Sequence, residues 1–222
     1  MIRKSIIILI FTCLALPTFA AETGWQYLFN GKNLDGWKVI GEQDWSVQNG
    51  NIVVKAVTEE DGWLVTEREF SDFVLRFRFR WMDGDSGIQF RSRFEDGEMA
   101  GYQANLDANR EFATGSLLEL KGRQVLQESK YAAPRLVKKG EWAEYEISAI
   151  GNHIEIRVNG LKTAEMTDDK GAQQGFIALQ MSVNPGATIE WSNIRILEIP
   201  RGAHWKSLFN GADLSGWRQV GD

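Results

Sequence analysis

Cysteine and histidine are almost missing from this 222-residue chain. Cys13 is the only cysteine, and it lies in an N-terminal segment that we expect to be removed. The mature protein is therefore predicted to have no disulfide, no cysteine nucleophile and no cysteine metal ligand. The two histidines, His153 and His204, are too few for a multi-histidine metal site. No nucleophile-elbow motif supports a serine triad that would use His153.

Basic residues are also in short supply. The formal charge is −5, from 25 Lys and Arg against 30 Asp and Glu, and it becomes −7 once Arg3 and Lys4 are removed with the leader. We therefore expect neither nucleic acid nor an anionic membrane as a partner. Aromatic residues, in contrast, are plentiful. Nine Trp and 12 Phe are more than a core of this size needs, which predicts that some rings line a surface or a pocket.

The N-terminal segment has the features of an export signal. Arg3 and Lys4 precede the apolar run Ile6–Leu16, and Thr18–Ala20 forms a small-residue cleavage site. The apolar run is shorter than the roughly 20 residues that a membrane span needs. Residues 1–21 are therefore predicted to be a signal peptide, and the mature protein to be periplasmic or secreted, with no membrane association after cleavage.

A segment near the start of the chain is repeated at its end. Residues 28–42 (LFNGKNLDGWKVIGE) and 208–222 (LFNGADLSGWRQVGD) share eight of fifteen positions at an offset of 180 residues. A period of this length is about that of one domain. The sequence therefore predicts a domain over residues 22–199, a linker over 200–206 and the start of a second copy over 207–222.

The apolar residues of the predicted domain recur with a period of two, which is typical of strands. In Phe73–Trp81, for example, apolar residues alternate with arginines, and no stretch keeps a helical period over 12 residues. Asn49-Gly50 and Asn159-Gly160 are typical of hairpin turns, and a change of apolar phase predicts a bulge near Ser192-Asn193. These features predict an all-β fold, in which two antiparallel sheets pack as a jelly-roll sandwich.

Polar side chains gather at outward positions of the middle strands. Strand alternation predicts that they share the sheet face opposite the core. The set comprises Gln89, Arg91, Arg93, Gln103, Asn105 and Asp107, with Glu119, Gln180 and Ser182 on later strands. Such donors and acceptors, with aromatic rings nearby, suit the hydroxyls of a sugar. Alternation alone would also produce a solvated sheet face, and Asp85–Gly87 is equally compatible with a turn.

Several motifs resemble those of the 3-keto-disaccharide hydrolase domain family. They are LFNGKNLDGW at 28–37, DSGIQFR at 85–91, GYQANLD at 101–107 and TGSLLE at 114–119. With further matches, the resemblance spans about residues 24–199. It implies a concanavalin A-like sandwich, export by bacteria that degrade glycans, and action on glycosides that carry a ketone at sugar carbon 3.

The implied chemistry needs only a few groups. The ketone acidifies the hydrogen on carbon 2, so that a base removes it, the group on carbon 1 leaves by elimination, and water then adds back. This requires a base, an acid for the leaving oxygen and a donor or cation for the enolate. The resemblance implies Glu119 or Asp107 as the base and Arg91 with Gln103 at the enolate. A divalent metal ion is an alternative to Arg91, and no other cofactor is expected. It implies substrate contacts from Asp85, Gln89, Arg93, Tyr102, Gln103, Asn105, Gln180 and Ser182.

Three positions depart from the pattern common in the family. Asp85 stands where many members have Asn, Gln103 where they have Glu, and Ser182 where they have His. A serine cannot bind a metal ion or transfer a proton near neutral pH as imidazole does. The sequence therefore favours an enzyme that cleaves 3-keto-glycosides but leaves open a non-catalytic carbohydrate-binding sandwich. A structural or protein-interaction sandwich is the third alternative.

Overall fold

The computed structural model describes residues 24–107, 110–111, 113–182, 186–200 and 212–218. The predicted signal peptide and nearly all of the predicted linker lie outside these residues. Among the residues described, no helix has the length and apolar character to cross a membrane. These residues form one short helix, α1 (Ala133–Leu136), and the following strands: β1 (Trp25–Tyr27), β2 (Trp37–Ile40), β3 (Asp44–Gln48), β4 (Asn51–Lys55), β5 (Gly62–Thr66), β6 (Phe73–Trp81), β7 (Asp85–Glu95), β8 (Glu98–Asp107), β9 (Leu117–Leu120), β10 (Gln124–Gln127), β11 (Trp142–Ile150), β12 (His153–Val158), β13 (Leu161–Thr167), β14 (Phe176–Met181) and β15 (Thr188–Glu198).

The strands form two antiparallel sheets. Sheet A has the order β13-β12-β11-β6-β15-β4-β3, and β1 also pairs with β15. Sheet B has the order β10-β9-β8-β7-β14-β5-β2. This confirms the predicted all-β, two-sheet jelly-roll sandwich.

Strand β6 shows how the sequence builds the core between the sheets. Phe73, Leu75 and Phe79 are completely buried, and each contributes about 1.5–3 kcal/mol through the apolar surface that it removes from water. The alternating arginines lie on the outer face of sheet A, where Arg80 pairs with Glu190 at 2.6 Å. The period of two therefore separates an apolar inner face from an ion-paired outer face.

The turn and bulge predictions are confirmed. Asn159-Gly160 joins β12 to β13 with φ values of +48° and +77°, and Asn49-Gly50 joins β3 to β4 with +51° and +77°. A two-residue type I′ turn needs positive φ at both positions, which Asn and Gly tolerate best. In β15 the pairing with β6 shifts register between Ser192 and Arg195.

Strand β5 was not predicted from the sequence. Its residues Trp63, Leu64 and Val65 are all at most 6% exposed, because both faces of the strand are covered. A short, continuously apolar run has no alternation that would identify it as a strand.

Residues 212–218 repeat a turn of the N-terminal segment. The Trp217 N–H donates to the Leu214 carbonyl at 3.0 Å, as the Trp37 N–H donates to the Leu34 carbonyl at 3.0 Å. Leu34 and Trp37 pack on the core, whereas Leu214 and Trp217 are 71% and 54% exposed. The start of a second copy stays a prediction.

Candidate functional site

A hollow of about 540 Å³ lies on the outer face of sheet B. Its floor is formed by side chains of β5, β14, β7, β8 and β9, and its volume falls within the roughly 300–1,000 Å³ range of small-molecule sites. The residues that line it are Asp61, Trp63, Asp85, Glu98, Met99, Gln103, Asn105, Arg110, Leu118, Leu120, Lys121, Gln124 and Gln180.

One end of the hollow is acidic. Asp85 on β7 lies directly opposite Asp107 on β8. The Arg110 guanidinium donates to Asp107 and lies 3.8 Å from a carboxylate oxygen of Asp85. Burial, and then the charge of Asp107, raises the pKa of Asp85 to about 6. This carboxyl group can therefore exchange a proton near neutral pH.

A third carboxylate, Asp61, extends this acidic end. The Gln180 side-chain amide donates to Asp61 Oδ2 at 2.9 Å, and the Ser182 hydroxyl donates to Asp61 Oδ1 at 2.9 Å. Ser182, at the position where family members often have His, therefore holds a carboxylate in place.

A ladder of side-chain amides adjoins the acidic end. Gln89 Nε2 donates to Gln103 Oε1, and Gln103 Nε2 donates to Asn105 Oδ1, both at 2.9 Å. All three residues are at most 4% exposed. Gln89 Oε1 is buried without a hydrogen-bond partner among the described residues. The register of β7 and β8 fixes this ladder, because Gln89 lies opposite Gln103 and Gly87 lies opposite Asn105.

A bulge bends the β7–β8 hairpin. The pairing shifts register between Phe90 and Arg93, and Arg91 has a φ of +48°. A bulge adds one residue to one strand, which bends that strand and can redirect its side chains. We call residues 93–100, the tip of this hairpin beyond the bulge, the hairpin arm.

The arm folds back over the outer face of sheet B. Leu64, Leu179 and Ile88 form one row across the sheet. Phe94 lies six residues beyond Ile88, which is about 20 Å along a straight strand. Its ring nevertheless contacts that of Trp63, the neighbour of Leu64, with 6.1 Å between ring centroids. The arm therefore forms a wall of the hollow and covers part of β5.

The bulge also overturns the prediction for Arg91. Its side chain is 0% exposed and pairs with Asp72 at 3.0 Å, away from the hollow. Its guanidinium donates to the carbonyls of Ser71, Ala149 and Gly151. The expectation that Arg91 shares a face with Gln89 is wrong because the left-handed backbone at Arg91 breaks the alternation.

Strand alternation also predicts the wrong sheet face for Arg93, for the same reason. It pairs in register with Ala100, so it lies on the face opposite Gln89, where its side chain is 66% exposed and pairs with Glu95. Phe94 takes the place on the outer face that alternation had given to Arg93.

Glu119 and Tyr102 lie opposite each other on the core-facing side of β9 and β8, not in the hollow. Tyr102 is 1% exposed, and its hydroxyl donates to Asp168. Arg123 bonds both Glu119 and Asp168, and its hydrogen bond holds the pKa of Glu119 below its ordinary value. Glu119 is therefore a weaker base than an isolated carboxylate. The prediction that it shares the polar face is wrong, because β9 turns Leu118 and Leu120 to the hollow instead.

The structure thus brings most of the predicted polar set together and adds residues that the sequence did not reveal. The predicted members at or beside the hollow are Asp85, Gln89, Gln103, Asn105, Asp107, Gln180 and Ser182. Sequence reasoning missed Asp61, Trp63, Arg110 and the arm. Asp61 and Arg110 lie in connections between strands, where no periodicity predicts the direction of a side chain, and a two-residue spacing exists only within strands.

The acidic end does not form a ready metal cage. Among the described residues, only His153, Glu155 and Glu165 form a group of three His, Cys, Asp or Glu side chains whose ligand atoms lie within 4.8 Å of one another. That cluster lies on sheet A, where Lys162 pairs with both carboxylates. In the hollow, Arg110 already supplies a positive charge beside Asp85 and Asp107. The described residues therefore place a guanidinium at the acidic end, and no cluster of three such ligand atoms.

Comparison with known proteins identifies the family of this domain. Residues 24–197 match the model of a family described as the 3-keto-alpha-glucoside-1,2-lyase-like domain. No curated protein matches the chain.

Solved structures share the fold at low identity. A candidate glycosyl hydrolase from Parabacteroides distasonis is 22% identical, with a TM-score of 0.62, over 79% of this chain and 99% of that one. Another from the same organism is 18% identical, with a TM-score of 0.61, over 79% of this chain and 94% of that one. The carbohydrate-binding module CBM66 from Bacillus subtilis is 18% identical, with a TM-score of 0.58, over 72% of this chain and 94% of that one.

Proposed function

Because the chain belongs to the 3-keto-alpha-glucoside-1,2-lyase-like domain family, we propose that it cleaves 3-keto-glycosides in the hollow of sheet B. The observation that carries this proposal is the pairing of Asp85 with Asp107 beside the Arg110 guanidinium, at the end of a hollow lined with amides. This setting raises the pKa of Asp85 to about 6. A base with a pKa near the working pH combines a sufficient ionised fraction with sufficient proton affinity.

In the proposed reaction the Asp85 carboxylate takes the proton from carbon 2 of the keto sugar. The electron pair of that C–H bond becomes the enolate of the carbon 3 ketone. It then forms the double bond between carbons 1 and 2 as the bond from carbon 1 to the leaving oxygen breaks, and that oxygen takes up a proton. Addition of water, with hydroxyl to carbon 1 and a proton to carbon 2, completes a net hydrolysis.

Arg110 replaces Arg91 as the cation that stabilises the enolate. Preorganised charge is most effective where negative charge develops in the transition state, and Asp107 holds the guanidinium beside Asp85. The amides of Gln103 and Asn105, which line the hollow, are suited to orient sugar hydroxyls, because amides both donate and accept hydrogen bonds. Gln89 holds the Gln103 amide from beneath.

The pH dependence of turnover tests the role of Asp85. The carboxyl is protonated below its pKa and ionised above it, so kcat/KM for a 3-keto-glycoside should rise with pH through about 6 and then level off. The charge of Asp107 raises this pKa, so Asp107→Asn should move the acidic limb to lower pH. Asp85 would be excluded as the base if Asp107→Asn did not shift the pH range over which kcat/KM rises. It would also be excluded if kcat/KM fell as the pH rises through this region.

The same assay, repeated with a chelator, tests the metal alternative. We expect turnover to persist, because Arg110 supplies the positive charge in this proposal. Loss of turnover on chelation, restored by a divalent ion, would assign the stabilisation of the enolate to a metal ion instead.

Gly87 gives a test of the amide ladder. A Cβ at this position would lie 2.5 Å from Gln103 Cδ, so Gly87→Ala should push the Gln103 amide out of the ladder. We expect the Kd of a bound oligosaccharide, measured by titration calorimetry, to rise about tenfold, since one or two hydrogen bonds contribute about 1–2 kcal/mol. The melting temperature should fall by about 2–4 °C per kcal/mol, because the displaced amide no longer bonds Gln89 and Asn105 inside the protein. An unchanged Kd would show that the ladder does not bind the sugar.

A non-catalytic carbohydrate-binding sandwich is the second candidate. The observation that favours it is Ser182, which bonds Asp61 where a proton-transferring histidine would otherwise stand. A binding domain would hold an oligosaccharide without turnover and would keep its affinity after Asp85→Asn. Release of the aglycone by the unmodified protein decides between the two.

Carbohydrate as partner and export to the periplasm or the medium are part of the same proposal. Export is supported by the N-terminal sequence alone. N-terminal sequencing of the protein recovered from the periplasm and medium should show loss of about the first 21 residues, as the signal prediction requires.

A further inference from the structure

A second cavity lies on the outer face of sheet A, on the side of the sandwich opposite the hollow. We call it the sheet A pocket. Its volume is about 340 Å³, within the roughly 300–1,000 Å³ range of small-molecule sites. The charged residues that line it are Arg76, Arg78, Glu144, Glu146, Arg157 and Arg195. Because stacked sheets pack about 10 Å apart, a group bound in this pocket cannot contact a sugar in the hollow.

Positive charge dominates the lining of the sheet A pocket. Four guanidinium groups face two carboxylates, although the whole chain has a formal charge of −5. Arg76 and Arg195 lie directly opposite each other on β6 and β15, and like charges in this arrangement cost free energy. Trp25 offsets part of the cost, because the two guanidinium carbons lie 4.8 Å and 5.1 Å from its ring centroid. The fold therefore holds two cations side by side in the pocket.

Arg78 supplies a further guanidinium, and this one lacks an anionic partner. Its Nε is buried without a hydrogen-bond partner among the described residues. Glu144 lies opposite Arg78 on β11 but is exposed, and the two side chains form no ion pair in the described part of the chain. The Trp142 ring, with its centroid 5.3 Å from the guanidinium carbon, orients the group without offering an oxygen acceptor. A buried donor without an acceptor costs free energy, which an anion bound at Arg78 would recover.

The rim of the sheet A pocket adds an aromatic ring and an amide. Tyr27 lines the pocket and is 65% exposed, because β1 places it opposite Arg195. Asn193 also lines it, from the bulge of β15, where its φ is +52°. An exposed ring can support the apolar face of a sugar, and an amide can both donate to hydroxyls and accept from them. The pocket therefore combines cations with groups that suit a sugar ring.

We propose that the sheet A pocket binds an acidic sugar residue, a uronate, through its carboxylate. A carboxylate matches the planar fork of a guanidinium group, which donates two parallel hydrogen bonds to it. Arg78 bonds the carboxylate, and Arg76 and Arg195 add positive charge. Tyr27 supports the ring, and Asn193 bonds its hydroxyls. This proposal does not rest on the proposed function, since none of these residues lines the hollow.

Three ligands, titrated into the ¹⁵N-labelled protein and followed by NMR, test the proposal. Glucuronate has the ring and the carboxylate, glucose has the ring alone, and acetate has the carboxylate alone. Glucuronate should shift the Nε–H signals of Arg76, Arg78 and Arg195. Its affinity should be at least about fivefold higher than that of glucose or acetate, since each of these lacks one set of contacts. Added salt should weaken the binding, because salt screens exposed charges.

Arg78→Gln should raise the Kd of glucuronate about tenfold or more, the effect of losing a hydrogen bond between charged groups. Arg80→Gln is the matched control. Arg80 lies on the same face of β6, and its Nε is also buried without a partner among the described residues. It pairs with Glu190, however, and does not line the sheet A pocket, so its replacement should change the Kd by less than about twofold.

Equal affinities for glucuronate and glucose would overturn the role of the arginines, and equal affinities for glucuronate and acetate would overturn the role of the ring. The pocket itself is overturned if Arg78→Gln leaves the Kd unchanged, if the shifted signals belong only to residues of the hollow, or if the unmodified protein shows no saturable binding. Circular dichroism melting curves verify that each variant is folded. The comparison of the three ligands uses the unmodified protein and decides the matter even where a variant does not fold.

Discussion

Replacing Asp85 by Asn should lower kcat for a 3-keto-glycoside by about 10²- to 10⁴-fold, the usual contribution of a positioned acid–base group. The amide has nearly the same shape as the carboxyl but cannot accept the proton from carbon 2. KM should change much less, because the amides of Gln103 and Asn105 that line the hollow remain in place. The measurement is initial-rate release of the aglycone, followed by liquid chromatography.

Glu119→Gln is the matched control for this experiment. It makes the same kind of change, from carboxylate to amide, on a residue that faces away from the hollow and bonds Arg123. We expect the Glu119→Gln enzyme to keep its turnover. The assignment of the base would move from Asp85 to Glu119 if Glu119→Gln lost turnover while Asp85→Asn kept it.

Arg91→Leu should reduce the free energy of unfolding by about 3–5 kcal/mol, the usual cost of breaking a buried ion pair by removing one partner. The Arg91 side chain is 0% exposed and its partner Asp72 is 14% exposed. The Arg91 guanidinium donates to Asp72 and to three backbone carbonyls. When it is removed, these four acceptors lose a charged donor inside the protein. Urea unfolding, followed by tryptophan fluorescence, gives the difference from the change in midpoint.

Arg93→Leu, two residues further along β7, is the control. Its side chain is 66% exposed, and surface substitutions away from special features usually change stability by less than about 0.5 kcal/mol. If Arg91→Leu loses much stability and Arg93→Leu loses little, Arg91 stabilises the fold and does not act in the catalytic site. An unchanged unfolding midpoint for Arg91→Leu together with lost turnover would instead restore it to the catalytic site.

The Glu119 and Arg91 variants test residues for which strand alternation predicted the wrong face. On β8, where no bulge intervenes between Gln103 and Asp107, the predicted face is the observed one. On β7 the same rule holds as far as Gln89 and fails at Arg91. Each strand residue points to the side opposite its neighbours, so one inserted residue reverses every side chain that follows. The bulge in β15 was visible as a change of apolar phase, whereas β7 continues with Arg, Ser and Arg, which carry no such signal.

The acidic end shows a second limit of sequence reasoning. Asp85 and Asp107 meet because β7 and β8 are adjacent and paired in register. That register depends on the bulge, because the pairs at the tip of the hairpin, continued without a shift, would place Asp85 opposite the residue after Asp107. Asp61 and Arg110 reach them from connections before β5 and after β8. Their positions depend on how the sheet brings distant connections together, which a pattern along one strand does not contain.

The sequence by itself determined the two-sheet architecture, the alternation of the strands, the hairpin turns and the family, because the side-chain period and the φ demands of Asn-Gly turns are local properties of the chain. Only the tertiary structure decided which outward polar residues face a common hollow. It turned Arg91 inward, set Glu119 on the other face, folded the arm across β5 and brought Asp61 and Arg110 to Asp85 and Asp107. The physical reason is that bulges, strand order and loop closure are settled by the packing of the whole sandwich, in which each choice must bury the apolar faces and pair the buried polar groups at the same time.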